Sequence, residues 1–254
     1  MITIKAKLLF WKIERKVPLS LAFPYDTVGY LGTESAEDLD VNKILMMMDY
    51  IPVQKGIEID YDAYDLLVLH HPPVTKPKIP SYVIHSNWDI VSGGACDALA
   101  DCLNITVNDV FDKKARLGRI GTLERGPVPL PEFCKTVREK LSLNTLRAVN
   151  FDENTEINKI CLIPGFGLNP KYIEMAHEEG ADLYLSGDLT HPGAILAKNS
   201  GIVLIDATHH ATEVPGLYRL RELIAGLGID TEIIDTKVPW QYYIGERGNI
   251  QNIL

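Results

Sequence analysis

One stretch constrains this chain more than any other: Asp65-Leu66-Leu67-Val68-Leu69-His70-His71-Pro72-Pro73. A short apolar run bounded by a breaker reads as a buried strand. Proline has no amide hydrogen to give to a sheet, so the strand has to end at the histidines. Both imidazoles are thereby placed at the C-terminal end of a strand, where open α/β sheets bind their ligands. Side chains alternate within a strand. Beyond its end that rule lapses, and His70 and His71 can turn toward one cleft.

The same reading carries along the chain. Residues 2–16 predict a helix stopped by Pro18, and residues 23–32 a turn followed by a short strand. Lys43 to Met48 predict a buried strand ending at Asp49, and Tyr82 to His85 another. Ser92-Gly93-Gly94 opens a helix with Ser92 as its cap and Leu99 and Leu103 on its apolar side. Residues 104–128 read as a loop with a solvated basic run, Lys113, Lys114, Arg116 and Arg119. A helix from Pro131 carries Phe133, Val137 and Leu141 at helical spacing.

Further on, Ile160 to Ile163 predict a strand ending in Pro164-Gly165-Phe166-Gly167, which suits a tight turn as well as a phosphate loop. Asn169-Pro170 caps a helix that holds an exposed His177. Strands come next at 183–185 and 202–205, with a short helix between them and another helix starting at Pro215. Residues 229–234 and 241–244 predict the last two strands. The stretch from Ala181 to Pro192 echoes the first histidine stretch, a hint of duplication. Strands alternating with helices imply an α/β class with mainly parallel pairing.

Three strand ends carry metal-ligand chemistry: His70-His71, His85-x-x-x-Asp89 and His209-His210-x-x-Glu213. Imidazole with carboxylate and no thiolate suits zinc, iron(II) or manganese rather than calcium. Two ions about 3.5 to 4 Å apart with one bridging carboxylate would use the set economically. Asp188 and His191 are either outer partners of the site or loop residues. The cysteines, Cys96, Cys102, Cys134 and Cys161, make no C-x-x-C pair and read as buried free thiols. Ser186-Gly187-Asp188 lacks the leading glycine of a nucleophile elbow.

Charge and hydropathy narrow the partners. A net charge of −9 disfavours nucleic acid, whose binding rests on cationic neutralisation of phosphates. No apolar run approaches the roughly 18 residues that span a bilayer, so no membrane partner is expected. The N-terminus lacks the features of a signal peptide, and a cytoplasmic location is expected.

These motifs resemble those of the NIF-three-like proteins, also called GTP cyclohydrolase 1 type 2 homologues. The matching residues are Asp26-x-x-Gly29 with Leu31-x-x-Glu34, the strand into His70-His71-Pro72, and His85-Ser86-x-x-Asp89 with Gly93-Gly94. Leu117-Gly118-Arg119-Ile120-Gly121, Gly165-x-Gly167, Gly180-Ala181-Asp182 through Ser186-Gly187-Asp188, and His209-His210-Ala211-Thr212-Glu213 complete the set. The chain departs from the pattern at Thr27, Ser86 and Pro192, in loops that the resemblance places at the rim of a central cavity.

The resemblance implies two intertwined α/β domains with mainly parallel sheets. The division expected is residues 1–104 plus 205–254 as a metal-binding domain, with 105–204 as a second, inserted one. It implies two divalent ions per chain, iron or zinc, held by His70, His71, Asp89, His209 and Glu213, with Glu213 bridging. It implies a homohexamer with a nucleotide or other small molecule in a central cavity. Three functions fit such a protein. One is a hydrolase in which metal-activated water opens a nucleotide such as GTP, and the basic run at Lys113–Arg119 could meet the triphosphate. The second is iron trafficking for the iron-guanylylpyridinol cofactor, and the third is a regulatory binding module.

Overall fold

A computed structural model describes residues 3–33, 35–52 and 58–240 of the chain. The chain forms two compact units. The first takes the described residues of Met1–Gly94 and Leu217–Pro239, and the second takes Ala95–Gly216 with Trp240.

The first unit is built on a five-stranded sheet in the order Asp230–Ile233, Lys43–Met47, Leu66–Leu69, Ser81–Val83, Gly29–Leu31. The first four strands run parallel and Gly29–Leu31 is antiparallel at the edge. Leu66–Leu69 is the middle strand, and all its residues are fully buried. A parallel strand covered on both faces has this uniformly apolar character. One face packs Leu45, Met47, Leu67, Leu69 and Val83 with Tyr50 and Tyr61. Toward the other, Phe10 from the helix Ala6–Glu14 stacks on Tyr82 at 4.3 Å, and the Tyr82 hydroxyl donates to Glu14 at 2.8 Å. The helix expected over 2–16 is shorter because Ile4–Lys5 pairs with Asp40–Val41 before the chain coils.

The second unit holds a six-stranded sheet in the order Arg147–Val149, Val203–Asp206, Leu183–Gly187, Lys159–Phe166, Leu117–Leu123, Ile105–Asp112. The three strands from Val203–Asp206 to Lys159–Phe166 are parallel, and the flanking pairings are antiparallel. Both sheets are therefore mixed: the expectation of mainly parallel pairing holds at their centres and fails at their edges. One face of the second sheet buries Ile160, Leu162, Leu183, Leu185, Val203 and Ile205 under helices Ala95–Cys102 and Leu130–Lys140.

The loop expected over 104–128 is instead a hairpin of two long strands, Ile105–Asp112 and Leu117–Leu123. The basic run is mainly its turn, where the Asp112 carboxylate accepts from the amides of Lys114 and Ala115 at 3.1 and 3.0 Å. Such aspartate turns reverse a chain without glycine or proline, which hid the hairpin. Arg119 is not solvated. It is buried, and its guanidinium donates to both Asp97 oxygens at 2.5 and 2.8 Å. Lys113 pairs with Asp109 at 2.8 Å. Of the four basic residues, Arg119 is thus withdrawn from any phosphate, while Lys113, Lys114 and Arg116 stay exposed.

Other boundaries also move. The helix expected from Pro215 begins at His209 and holds Pro215 in its interior. Proline favours the first turn of helices, but here Thr208, with φ of 65°, has already turned the chain out of the strand. Ser92 lies in a turn, and the helix it was expected to cap starts at Ala95, after a short helix Ser86–Ile90. The expected domain boundaries, 104/105 and 204/205, compare with divisions at 94/95 and 216/217. The reason is packing: Leu99, Ala100 and Leu103 on one side and Ala207 and Ala211 on the other join the core of the second unit. The strand expected at 241–244 lies outside the described residues. Cys96 and Cys161 are buried, while Cys102 and Cys134 are half-buried. No helix among the described residues is long and apolar enough to cross a membrane.

Arg119 and Asp97 are 5% and 19% exposed at their side chains, so neither charge is well hydrated without the other. Removing one partner of a buried pair strands the other, at about 3–5 kcal/mol, whereas replacing both with apolar groups is often neutral. Asp97→Ala is expected to lower the urea midpoint of the second unit. The pair Asp97→Leu with Arg119→Met is expected to recover most of the loss.

Candidate metal-binding groups

The first group grows out of the sheet register. Leu69 pairs with Met47 on one side and Val83 on the other. Backbone pairing continues past the strand, with the His70 amide on the Met47 carbonyl at 3.1 Å and the His71 amide on the Met48 carbonyl at 3.0 Å. The prolines then end it. His70 and His71 have ring centroids 4.8 Å apart, and His85 lies 5.3 and 5.4 Å from them. Each ring offers a nitrogen within 4.8 Å of those of the other two.

Every imidazole of this group donates its Nδ1 hydrogen to an oxygen. His70 donates to the Ile84 carbonyl at 3.0 Å, His71 to Asp49 at 2.8 Å and His85 to Asp26 at 2.9 Å. That arrangement sets the tautomer and makes Nε2 the nitrogen that can ligate, as outer partners do at metal-bound histidines. Asp26 is itself held by the Ser86 amide at 3.1 Å and by the Ser86 hydroxyl. Burial raises the Asp26 pKa, but its bonds to Ser86 and His85 outweigh this and leave it below the usual range. Burial and the neighbouring His70 lower the pKa of His85, which favours the neutral ring a metal needs. Asp89 joins from the helix Ser86–Ile90, its Oδ1 3.7 Å from His70 Nε2.

The second group stands at the head of the helix His209–Ala225. Glu213 is one turn after His209, and its Oε1 lies 3.3 Å from His209 Nε2. On the other side, His209 Nδ1 donates to Asp188 at 2.7 Å. Burial alone would lower the His209 pKa, but hydrogen bonds and charge from Asp188 and Glu213 push it up to about 10. The ring is thus protonated at neutral pH, and a cation ligated at Nε2 would take the place of that proton.

Glycines make room for this group. A Cβ on Gly165, which has φ of 72°, would collide with Glu213 Oε1, and its amide donates to the Thr212 hydroxyl at 2.8 Å. A Cβ on Gly187 would meet the His209 amide nitrogen. The Gly165-x-Gly167 turn therefore admits the Glu213 carboxylate. A cavity of about 340 Å³ adjoins His209, lined by Thr145, Arg147, Asp188, Thr208 and Trp240. Arg147 is mostly exposed but its Nε donates to buried Asp206 at 2.8 Å.

The expected residues fall into two sets. His70, His71, His85 and Asp89 come together in the first unit, and His209 and Glu213 in the second. Asp188 is an outer partner of His209, while His191 is exposed at the start of its helix. Sequence reasoning missed the role of Asp49. The sequence alone carries no signal for it: Asp49 follows Met47 by two residues as His71 follows Leu69, but the pairing of Met47 with Leu69 is known only from the sheet.

An α/β protein carrying histidine and carboxylate groups able to bind metal is the class this fold and these groups define. Residues 73–239 match the model of Duf34/NIF3 (NGG1p interacting factor 3). A GTP cyclohydrolase 1 type 2 homolog from Methanothermobacter thermautotrophicus is 44% identical over 244 residues, covering 96% of this chain and 98% of that protein. Another from Methanocaldococcus jannaschii is 32% identical, covering 91% and 98%. Reduced HcgD from Methanocaldococcus jannaschii superposes with a TM-score of 0.76 at 29% identity, over 94% of this chain and 100% of that one. The chain belongs to the Duf34/NIF3 family.

Gly165→Ala is expected to displace the Glu213 carboxylate from His209 and to lower stability by about 1–2 kcal/mol through the positive φ. Losing one of two carboxylates that favour the charged ring moves the His209 pKa down from about 10 toward its ordinary value. Histidine proton titration by NMR on metal-free protein checks the direction. An unmoved His209 would mean that Glu213 does not hold its proton.

Proposed function

We propose that this chain binds two divalent ions, iron or zinc, through His70, His71, Asp89, His209 and Glu213, and hydrolyses a nucleotide such as GTP. One observation carries the metal part: each imidazole of the donor set has its Nδ1 committed to an oxygen, which orients Nε2 for ligation. All five donors are nitrogen or carboxylate oxygen, the chemistry that suits iron(II) and zinc. Glu213 is the bridging ligand in this reading. Its negative charge, held in place by the room at Gly165, offsets the repulsion between two cations.

The ions would supply Lewis acidity and an activated water. The chain's own residues do the rest. Asp49 and Asp188 hold the rings of His71 and His209 in place. The cavity beside His209 supports a nucleotide, since Trp240 offers a face for a base and Arg147 a cation for phosphate. Attack of water at C8 of the guanine ring opens the imidazole portion, and a second hydrolysis releases formate. Incubation of metal-loaded protein with GTP is expected to yield formate above the metal-only background. Its absence with both iron and zinc would leave iron handling or a regulatory binding module ahead. The iron-handling reading enters from family resemblance alone.

A homohexamer enters the proposal from family resemblance alone. Glu213→Gln keeps the shape of the side chain and removes its charge. The variant is expected to retain one ion of two by elemental analysis, to sediment as the same hexamer, and to lose turnover by several orders of magnitude. An iron carrier would still donate its remaining ion. Two tightly held ions in the variant would show that Glu213 is not the bridge.

A further inference from the structure

We infer that Tyr25 is a binding residue, whose ring is the surface on which the flat ring of a small-molecule ligand stacks beside the first unit. The inference rests on the nucleotide reading above and deepens it. It requires a ligand with a planar unsaturated ring, and it gives the first unit a face for that ring, as Trp240 does the second.

The backbone supplies the first observation. The Asp26 amide bonds the Phe23 carbonyl at 3.0 Å, which closes a turn over Phe23-Pro24-Tyr25-Asp26. Proline holds a negative φ at the second position of that turn, and Tyr25 at the third has φ of 73°. This is the pattern of a type II turn, whose third residue is ordinarily glycine because a side chain is strained there. A bulky residue in that conformation is a destabilising choice. The side chain gives the fold nothing in return. Tyr25 is 105% exposed, and it makes no hydrogen bond or ring contact with any described residue. A lone exposed aromatic needs no explanation. One held in a strained turn does, because such conformations persist where function uses them.

The turn is also anchored at both ends. The Phe23 amide donates to the Ser86 hydroxyl oxygen at 2.9 Å. Buried Ser86 in turn gives its amide, at 3.1 Å, and its hydroxyl to the Asp26 carboxylate. Asp26 accepts from His85 at 2.9 Å, so Tyr25 stands one residue from a side chain that touches the histidine group. A phenol ring on a fixed base with both faces in water is a stacking platform. Covering it with a flat ring buries apolar area on both partners and leaves little side-chain motion to freeze. A ligand that is anionic and nothing more would have no use for it, since residues 22–32 include no lysine or arginine.

The test titrates the zinc-loaded full chain by calorimetry with GTP and, separately, with inorganic triphosphate, which has the charge but no ring. Excess magnesium keeps either probe from stripping the zinc. Tyr25→Gly is expected to weaken GTP binding by about 10-fold or more and to leave triphosphate binding as in wild type. Its urea midpoint is expected to stay level or rise, since glycine relieves the turn. Tyr25→Trp is expected to hold GTP at least as tightly as wild type, with an indole fluorescence that GTP quenches. Equal GTP affinity in Tyr25→Gly and wild type would overturn the inference and leave the nucleotide reading standing. A Tyr25→Gly protein that is less stable or fails to fold would overturn it too, by making the tyrosine a structural residue. So would one that loses its oligomer and keeps its GTP affinity, by assigning the ring to a contact between copies. A wild-type chain that binds no GTP would overturn both the inference and the nucleotide reading.

Discussion

A parallel sheet can continue only while each strand keeps giving amide hydrogens to its neighbour, and Pro72-Pro73 stops the middle strand of the first unit. The stop comes two residues after the last regular pair, and those residues are His70 and His71. Their backbones are still held by Met47 and Met48. The imidazoles are thus fixed by main-chain hydrogen bonds behind a fully buried strand, not by loop conformation. Groups carried on rigid elements keep their geometry best.

The same register explains the oxygens behind the rings. Met47 opposite Leu69 places Asp49 opposite His71, and Ser186 opposite Asp206 places Asp188 opposite Thr208, next to His209. In both units one strand ends in the histidine and its parallel neighbour ends in the aspartate that orients it. The second unit adds backbone strain to the device. Asp188 and Thr208 both have positive φ, and for a β-branched threonine that is unusual. Such residues persist where the surroundings enforce them and often where function needs them. Here the turn at Thr208 starts the helix early and aims His209 at Glu213.

Acid groups dominate the surroundings of these imidazoles: Asp26, Asp49, Asp89, Asp188 and Glu213. A protein with a net charge of −9 that gathers carboxylates around histidines is suited to cations. The arginines show how the chain treats its own positive charge. Arg119 is spent on Asp97 inside the second unit, and Arg147 anchors on buried Asp206 while most of its side chain meets solvent. The positive charge that faces a cavity beside His209 is therefore Arg147, not the basic run at the hairpin turn.

The sequence by itself determined the strands that run into the histidines, because an apolar run ended by proline has one local reading. It determined the α/β class, the residue types of the site and, through motifs spread along the chain, the family. It misread residues 104–128, since Asp112 reverses that hairpin by accepting two amides and leaves no glycine or proline signal. It also read Pro215 as a helix start, where the start depends on the conformation of Thr208. The roles of Asp49, Asp188 and Gly165 were decided only in three dimensions. Each acts on a residue far away in the chain, and its partner is chosen by the alignment of neighbouring strands. Register is a property of pairs of strands, so no single stretch of sequence contains it.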